Sequence, residues 1–100
     1  MYIIVGTDRA SVLSQNHLIL SLEKVSTEQT EDRAYCVIPF EKISFSDLPI
    51  IDNLKNLHEQ FVEEYEKGNY QYCRDATEYL YGKFGGELDS FYDEILKRIS

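Results

Sequence analysis

The chain has 100 residues, 43% of them hydrophobic, and a formal net charge of −8. This length predicts a single domain over residues 1–100 with one modest core, and no apolar run reaches the roughly 18 residues that span a bilayer. The acidic balance disfavours direct binding to nucleic acid or to an anionic membrane, and it favours a protein partner with a basic surface.

The first forty residues have strand-like patterns. Tyr2–Val5 is a short β-branched run that is typical of a buried strand. Thr7 is then expected to cap a short helical turn over Asp8–Ser14, with Val12 and Leu13 facing inward.

Two further strands are predicted from alternating apolar and polar residues. They cover His17–Glu23 and Arg33–Pro39, and the wholly polar segment 26–32 between them predicts a hairpin loop. The second of these strands should end at its proline, which lacks an amide hydrogen for the sheet.

The rest of the chain predicts three amphipathic helices, at about 50–67, 70–82 and 87–99. Asp52 is the expected N-cap of the first helix, and Gly68 is expected to end it. The inward-facing residues of the second helix should be Cys73, Ala76, Thr77 and Leu80. Strands within residues 2–39 followed by helices indicate an α+β fold, a small antiparallel sheet of about three strands packed with three C-terminal helices.

Catalytic and metal-binding motifs are weak. His58-Glu59 begins like a zinc-protease motif, but Val62 stands where the second histidine ligand is needed. We therefore expect His58 to be a surface or boundary residue, and we predict no catalytic residue, no metal and no cofactor. A small enzyme would have to use His17, His58, Asp8 or Arg9.

The two cysteines lie in different predicted elements. Cys36 belongs to a strand and Cys73 to a helix. Free buried thiols in a reducing cytoplasm are the preferred interpretation, and a disulfide is the alternative.

Acidic residues form a row on the first long helix, with Glu64 beside it. Because they recur at steps of four and three, their carboxylates should lie about 5–6 Å apart on one face. Such a row, extended by Asp75 and Glu78 on the next helix, can imitate the phosphate backbone of a nucleic acid, although an ordinary solvated face is the alternative. The members of this candidate partner-binding face are Glu59, Glu63, Glu64 and Glu66.

Tyrosine is unusually frequent, with eight in the chain. Five of them fall between residues 65 and 81, and one helix cannot bury all of its share on the side that carries Cys73 and Leu80. Since tyrosine is enriched at protein interfaces, Tyr79 and Tyr81 are predicted to be exposed partner-binding residues.

Two stretches resemble known proteins. Tyr65–Leu80 is similar to the turn between the helices of a tetratricopeptide repeat, here as one local hairpin. The C-terminal stretch GKFGGELDSFYDEILKRI, together with the YCVIP strand, resembles small uncharacterised proteins of tailed bacteriophages. That resemblance implies a phage accessory protein in the cytoplasm of the infected bacterium.

The sequence thus favours a small acidic, non-enzymatic interaction protein, such as a phage-encoded accessory or inhibitor protein that binds a host protein as a nucleic-acid mimic. Two alternatives remain open at this point. One is a self-associating structural or assembly protein, with a homodimer sealed by exposed tyrosines. The other is a small enzyme whose site is not visible in the sequence.

Overall fold

The computed structural model describes residues 2–26 and 31–100. Within these residues the chain forms a three-stranded antiparallel sheet and four α-helices, which confirms the predicted α+β class. The strands are β1 (Tyr2–Val5), β2 (His17–Ser26) and β3 (Glu31–Pro39).

β3 is the central strand, because the order in the sheet is β1-β3-β2. β1 and β2 both pair with it in the antiparallel sense, and β2 carries a bulge between Ser21 and Lys24. The predicted loop at 26–32 is too long, since Ser26 pairs with Glu31 and the strands continue to that point. The remainder of that predicted loop, 27–30, lies outside the described residues.

The helices are α1 (Thr7–Leu13), α2 (Ile51–Lys67), α3 (Tyr70–Leu80) and α4 (Asp89–Ile99). Periodicity therefore located the three C-terminal helices to within two residues at each end. Short 3₁₀ turns join these elements at Phe40–Lys42, Leu48–Ile50 and Phe84–Gly86.

The helix caps are only partly as predicted. A 3₁₀ turn leads directly into α2, so Ile50 is the N-cap and Asp52 lies inside the first turn, where its charge still suits the helix dipole. Gly68 ends α2 as expected, with a left-handed φ of 86°. The Asn69 side chain then caps α3 by accepting a hydrogen bond from the amide of Tyr72.

The main core lies between one face of the sheet and helices α2, α3 and α4. The sheet contributes alternate residues of β2 and β3, as the alternation predicted. All four residues expected on the inner side of α3 are buried, and α4 contributes Tyr92 and Ile95. Aromatic rings from three segments meet in this core: Phe61, Phe84, Phe91 and Tyr92.

A smaller core lies on the other face of the sheet, beneath α1. It contains Ile4, Ala10, Ile19 and Val37. Val12 is 68% exposed, so its predicted inward direction was wrong: the short helix turns Ala10 toward the sheet instead. The predicted burial of β1 was also wrong, because of its four residues only Ile4 is buried.

The turn between α3 and α4 brings two backbone segments unusually close. Phe84 is fully buried although its φ is 55°, a left-handed value that costs a bulky residue roughly 1 kcal/mol or more. The next residue, Gly85, also has a positive φ, of 66°, and a Cβ placed there would lie 2.7 Å from the carbonyl oxygen of Lys42. Glycine is therefore required at this position by both conformation and space.

Gly85→Ala should accordingly lower the free energy of unfolding by about 2–4 kcal/mol, since it combines left-handed strain with a backbone clash. Gly82→Ala is the matched control: Gly82 has a φ of 81°, but a Cβ added there would meet no atom within 4 Å. The control should lose only about 1 kcal/mol. Equal losses in urea denaturation would show that the close approach to Lys42 is unimportant.

Candidate interaction surfaces

His58 is a buried connector between sheet and helices. It is completely buried, so the expectation of a surface or boundary position was wrong. Its Nε2 lies 2.7 Å from the carbonyl oxygen of Ser21 in β2, and its Nδ1 lies 2.8 Å from the hydroxyl of Tyr92 in α4. One side chain of α2 thereby bonds both to the sheet and to the last helix.

The geometry determines where the proton is on the ring. A carbonyl oxygen can only accept a hydrogen bond, so Nε2 carries the hydrogen and donates it to Ser21. Nδ1 is then left as the acceptor for the hydroxyl hydrogen of Tyr92. Burial lowers the pKa of His58, because the charged imidazolium would lose its hydration, and burial likewise raises the pKa of Tyr92. Both groups are therefore held neutral.

The residues that a small enzyme would need are not brought together. His58 is enclosed among the rings of the main core. His17 instead lines a separate surface depression with Tyr2 and Pro39, while Asp8 and Arg9 are exposed on α1. Among the described residues, no group of three histidine, cysteine or carboxylate side chains could hold a metal ion.

The cysteines are free and buried, as predicted. Burial raises the pKa of Cys36 to about 11, and it raises that of Cys73 as well. Both side chains are therefore thiols at neutral pH, and they pack as small apolar groups in the main core.

The two ends of the glutamate row on α2 are turned toward the sheet. Nη2 of Arg33 donates to both carboxylate oxygens of Glu66, at 3.0 and 3.2 Å. Glu59 accepts a hydrogen bond of 3.3 Å from the amide of Ser21. These two carboxylates attach α2 to β2 and β3, a role that the helical spacing alone did not indicate.

The other two glutamates interact within α2 and its C-terminus. Glu63 forms an ion pair of 3.0 Å with Lys67. Glu64 accepts hydrogen bonds from Gln60 and Asn69, and these contacts lower its pKa. The row as a whole presents less uncompensated negative charge than its sequence suggests.

Tyr79 and Tyr81 are exposed as predicted, by 67% and 48%. The hydroxyl of Tyr81 donates a hydrogen bond of 3.1 Å to Asp93 in the second turn of α4. Asp75 lies four residues before Tyr79 and three before Glu78, so it neighbours both on the exposed arc of α3. Tyr81, two residues after Tyr79, points to a different side and reaches α4 instead. We call these five exposed residues, on and beside α3, the α3 surface: Asp75, Glu78, Tyr79, Tyr81 and Asp93.

Negative charge on the α3 surface is largely uncompensated. Within residues 2–26 and 31–100, no ion pair engages Asp75, Glu78 or Asp93, although the neutral Gln71 side chain donates a hydrogen bond of 3.0 Å to Asp75. The nearest basic residue on the helix, Arg74, donates instead to the Ile99 carbonyl and to Gln71. The surface therefore combines exposed aromatic area with uncompensated carboxylates.

The exposed apolar edge at β1 was not predicted from the sequence. The side chains of Tyr2, Ile3 and Val5 are 60%, 52% and 43% exposed. A run of four apolar residues is compatible with a central or an edge strand, so only the strand order identifies this edge.

Comparison with protein-family models, with curated proteins and with solved structures finds no match. None of the helices in the described ranges is both long and apolar enough to cross a membrane.

The buried imidazole predicts a specific dependence of stability on pH. The unfolded chain binds a proton at His58 with a pKa near 6.5, whereas the folded chain resists that proton, so the free energy of unfolding should fall as the pH drops below about 6.5. From pH 7 to 5 we expect a loss of up to about 2 kcal/mol from this group. Urea denaturation at several pH values measures the slope.

Two variants separate this effect from other titrating groups. His58→Gln should be less stable at pH 7 but should lose less stability between pH 7 and 5. Tyr92→Phe removes a hydrogen bond and should cost about 1–2 kcal/mol, yet it keeps the buried imidazole and hence the slope. Identical slopes for the wild type and His58→Gln would contradict the neutral buried state.

The glutamate row yields a matched pair of variants. Glu66→Gln should lower the free energy of unfolding by about 1 kcal/mol, because the partly exposed ion pair with Arg33 loses its charge. Glu63→Gln, which removes an equal charge from an exposed pair, should change it by less than about 0.5 kcal/mol. The two changes are compared by chemical denaturation at low and high salt. If they are equally mild, Glu66 is not an attachment point for the sheet.

Proposed function

We propose that this protein acts by binding another protein rather than by catalysis, and that the α3 surface is its main contact. The observation that carries this proposal is the exposure of Tyr79 and Tyr81 beside uncompensated carboxylates. Tyrosine supplies a large contact area with few rotatable bonds, and such side chains often account for much of the binding energy at an interface.

The chemistry of this surface favours a basic partner. Carboxylates attract lysine and arginine over long range and speed association, while an arginine side chain can also stack on a tyrosine ring. A groove that normally holds nucleic acid offers this combination. The acidic-mimic hypothesis is therefore better supported on the α3 surface than on Glu59 and Glu66, whose carboxylates bond to the sheet.

The likeness of the C-terminal stretch to tailed-phage proteins extends this proposal. It favours a phage-encoded accessory or inhibitor protein that acts in the bacterial cytoplasm on a host protein. The net charge of −8 is consistent with such a role, since it disfavours direct binding of the chain to DNA or RNA.

The test is affinity capture from bacterial lysate, followed by binding measurements with the purified captured protein. Tyr79→Ala with Tyr81→Ala should weaken binding at least about tenfold, as expected when two interface anchors are removed. Phe45→Ala is the aromatic control, because Phe45 is 91% exposed and distant in sequence from α3. It should leave the affinity unchanged.

The charge contribution is tested separately. Asp75→Asn with Glu78→Gln should slow association and reduce its dependence on salt, because charge steering acts mainly on the association rate. Glu41→Gln with Asp52→Asn removes the same charge from exposed positions elsewhere. If both pairs of changes act alike, net charge and not the α3 surface governs binding. If no saturable partner is captured, the proposed function is wrong.

A further inference from the structure

The two edges of the sheet differ in how their backbone groups are satisfied. On the outer edge of β2, the amide of Ser21 donates to Glu59 and its carbonyl oxygen accepts from His58. The bulge between Ser21 and Lys24 further interrupts this edge. Side chains that hydrogen-bond to the backbone of an edge strand, like bulges in that strand, hinder another strand from pairing with it.

Within residues 2–26 and 31–100, no such side-chain contact or bulge occurs on the outer edge of β1. Its four residues, Tyr2–Val5, include no charged residue and no proline, and the pairing with β3 runs without a bulge. No other strand in the described part of the chain pairs with it. An uninterrupted apolar edge favours the addition of another strand.

The ladder shows which backbone groups point outward. The amide of Gly6 donates to the carbonyl oxygen of Arg33, so Gly6 directs its polar groups toward β3. In an antiparallel ladder this direction alternates, and Ile4 and Tyr2 therefore also bond to β3. Ile3 and Val5 consequently direct their N–H and C=O groups to the free edge.

We propose that β1 pairs with β1 of a second copy of this chain, antiparallel about a twofold axis at Ile4, to form a continuous six-stranded sheet. In this register Ile3 lies opposite the partner's Val5, and Val5 lies opposite the partner's Ile3. Each of these pairs exchanges two hydrogen bonds, so all outward groups of both residues are satisfied. Centring the axis on Ile3 or on Val5 would give fewer bonds within the four-residue strands.

The side chains of this edge are complementary to a second copy. Ile3 and Val5 lie on the same face of the sheet as Ala34, as their register with β3 shows. This is the face that packs against α2, α3 and α4. Ile3 also lines an apolar groove of about 310 Å³ between the sheet and α4, together with Leu22 and Phe91. Pairing two copies sets the β-branched side chains of Ile3 and Val5 directly against each other beside this groove.

Charge opposes a second copy less at β1 than elsewhere on the chain. Each chain carries a net charge of −8, so most contacts between two copies would bring carboxylates together. β1 is uncharged along its whole length, and a seam made from two β1 strands avoids that repulsion. The inference does not depend on the proposed partner of the α3 surface.

Sedimentation velocity over a range of protein concentrations tests the proposal. The wild type should dimerise, whereas Ile3→Lys with Val5→Lys places like charges opposite each other twice and should weaken the dimer at least about tenfold. Ile3→Lys with Val5→Glu instead places opposite charges in both pairs and should restore dimerisation. Val12→Lys introduces a single lysine at an exposed position of α1 and should leave the dimer intact. A wild type that stays monomeric at high concentration overturns the proposal, as does a dimer that the double-lysine variant leaves unchanged.

Amide hydrogen exchange on the wild type provides a test that requires no variant. The amide of Ile4 bonds to β3 and should be protected at every concentration. The amides of Ile3 and Val5 should become protected only as the dimer forms. If they exchange freely while the chain is dimeric, or become protected only when another protein is added, the second copy is not the partner of this edge.

Discussion

The fold depends on the hydrogen-bonded bridge from Ser21 through His58 to Tyr92. It joins an edge strand, the longest helix and the last helix in one buried chain of bonds of 2.7 and 2.8 Å. Phe61, Phe84 and Phe91 surround the imidazole at ring distances of about 6 Å. A buried polar group without partners costs about 1–3 kcal/mol, so this arrangement favours one packing of α2 and α4 against β2 over its alternatives.

The same bridge distinguishes the two edges of the sheet. The Ser21 carbonyl points away from β3 and would need water or another strand, but His58 satisfies it from within the chain. Glu59 does the same for the Ser21 amide, one residue further along α2. α2 thus blocks the β2 edge at Ser21 with side chains, while no described residue blocks the edge of β1. Part of the glutamate row therefore contributes to the fold. Pairing between two copies of the chain is accordingly inferred at β1 and not at β2.

Much of the fold could be predicted from local patterns. The apolar steps along α2, α3 and α4 located these helices, and alternation located β2 and β3, because each element has one dominant buried face. The exposure of Tyr79 and Tyr81 followed from the same periodicity, since Cys73 and Leu80 define the opposite face of α3. These predictions needed no knowledge of what each face contacts.

The features that the sequence did not predict depend on contacts between residues distant in the chain. His58 lies four residues after Leu54 and three before Phe61, so its helical position placed it on the buried stripe, but its partners Ser21 and Tyr92 come from other elements. Glu66 could be assigned to the sheet only once Arg33 was known to reach α2.

The state of the His58 ring tests this explanation of the fold most directly. Nitrogen-15 NMR of the imidazole should show a single neutral form with the hydrogen on Nε2, unchanged between pH 7.5 and 5.5. Its Nδ1 should have the shift of an unprotonated nitrogen that accepts a hydrogen bond. A ring that titrates with an ordinary pKa near 6.5, or that exchanges between both neutral forms, would show that His58 is not the buried bridge between sheet and helices.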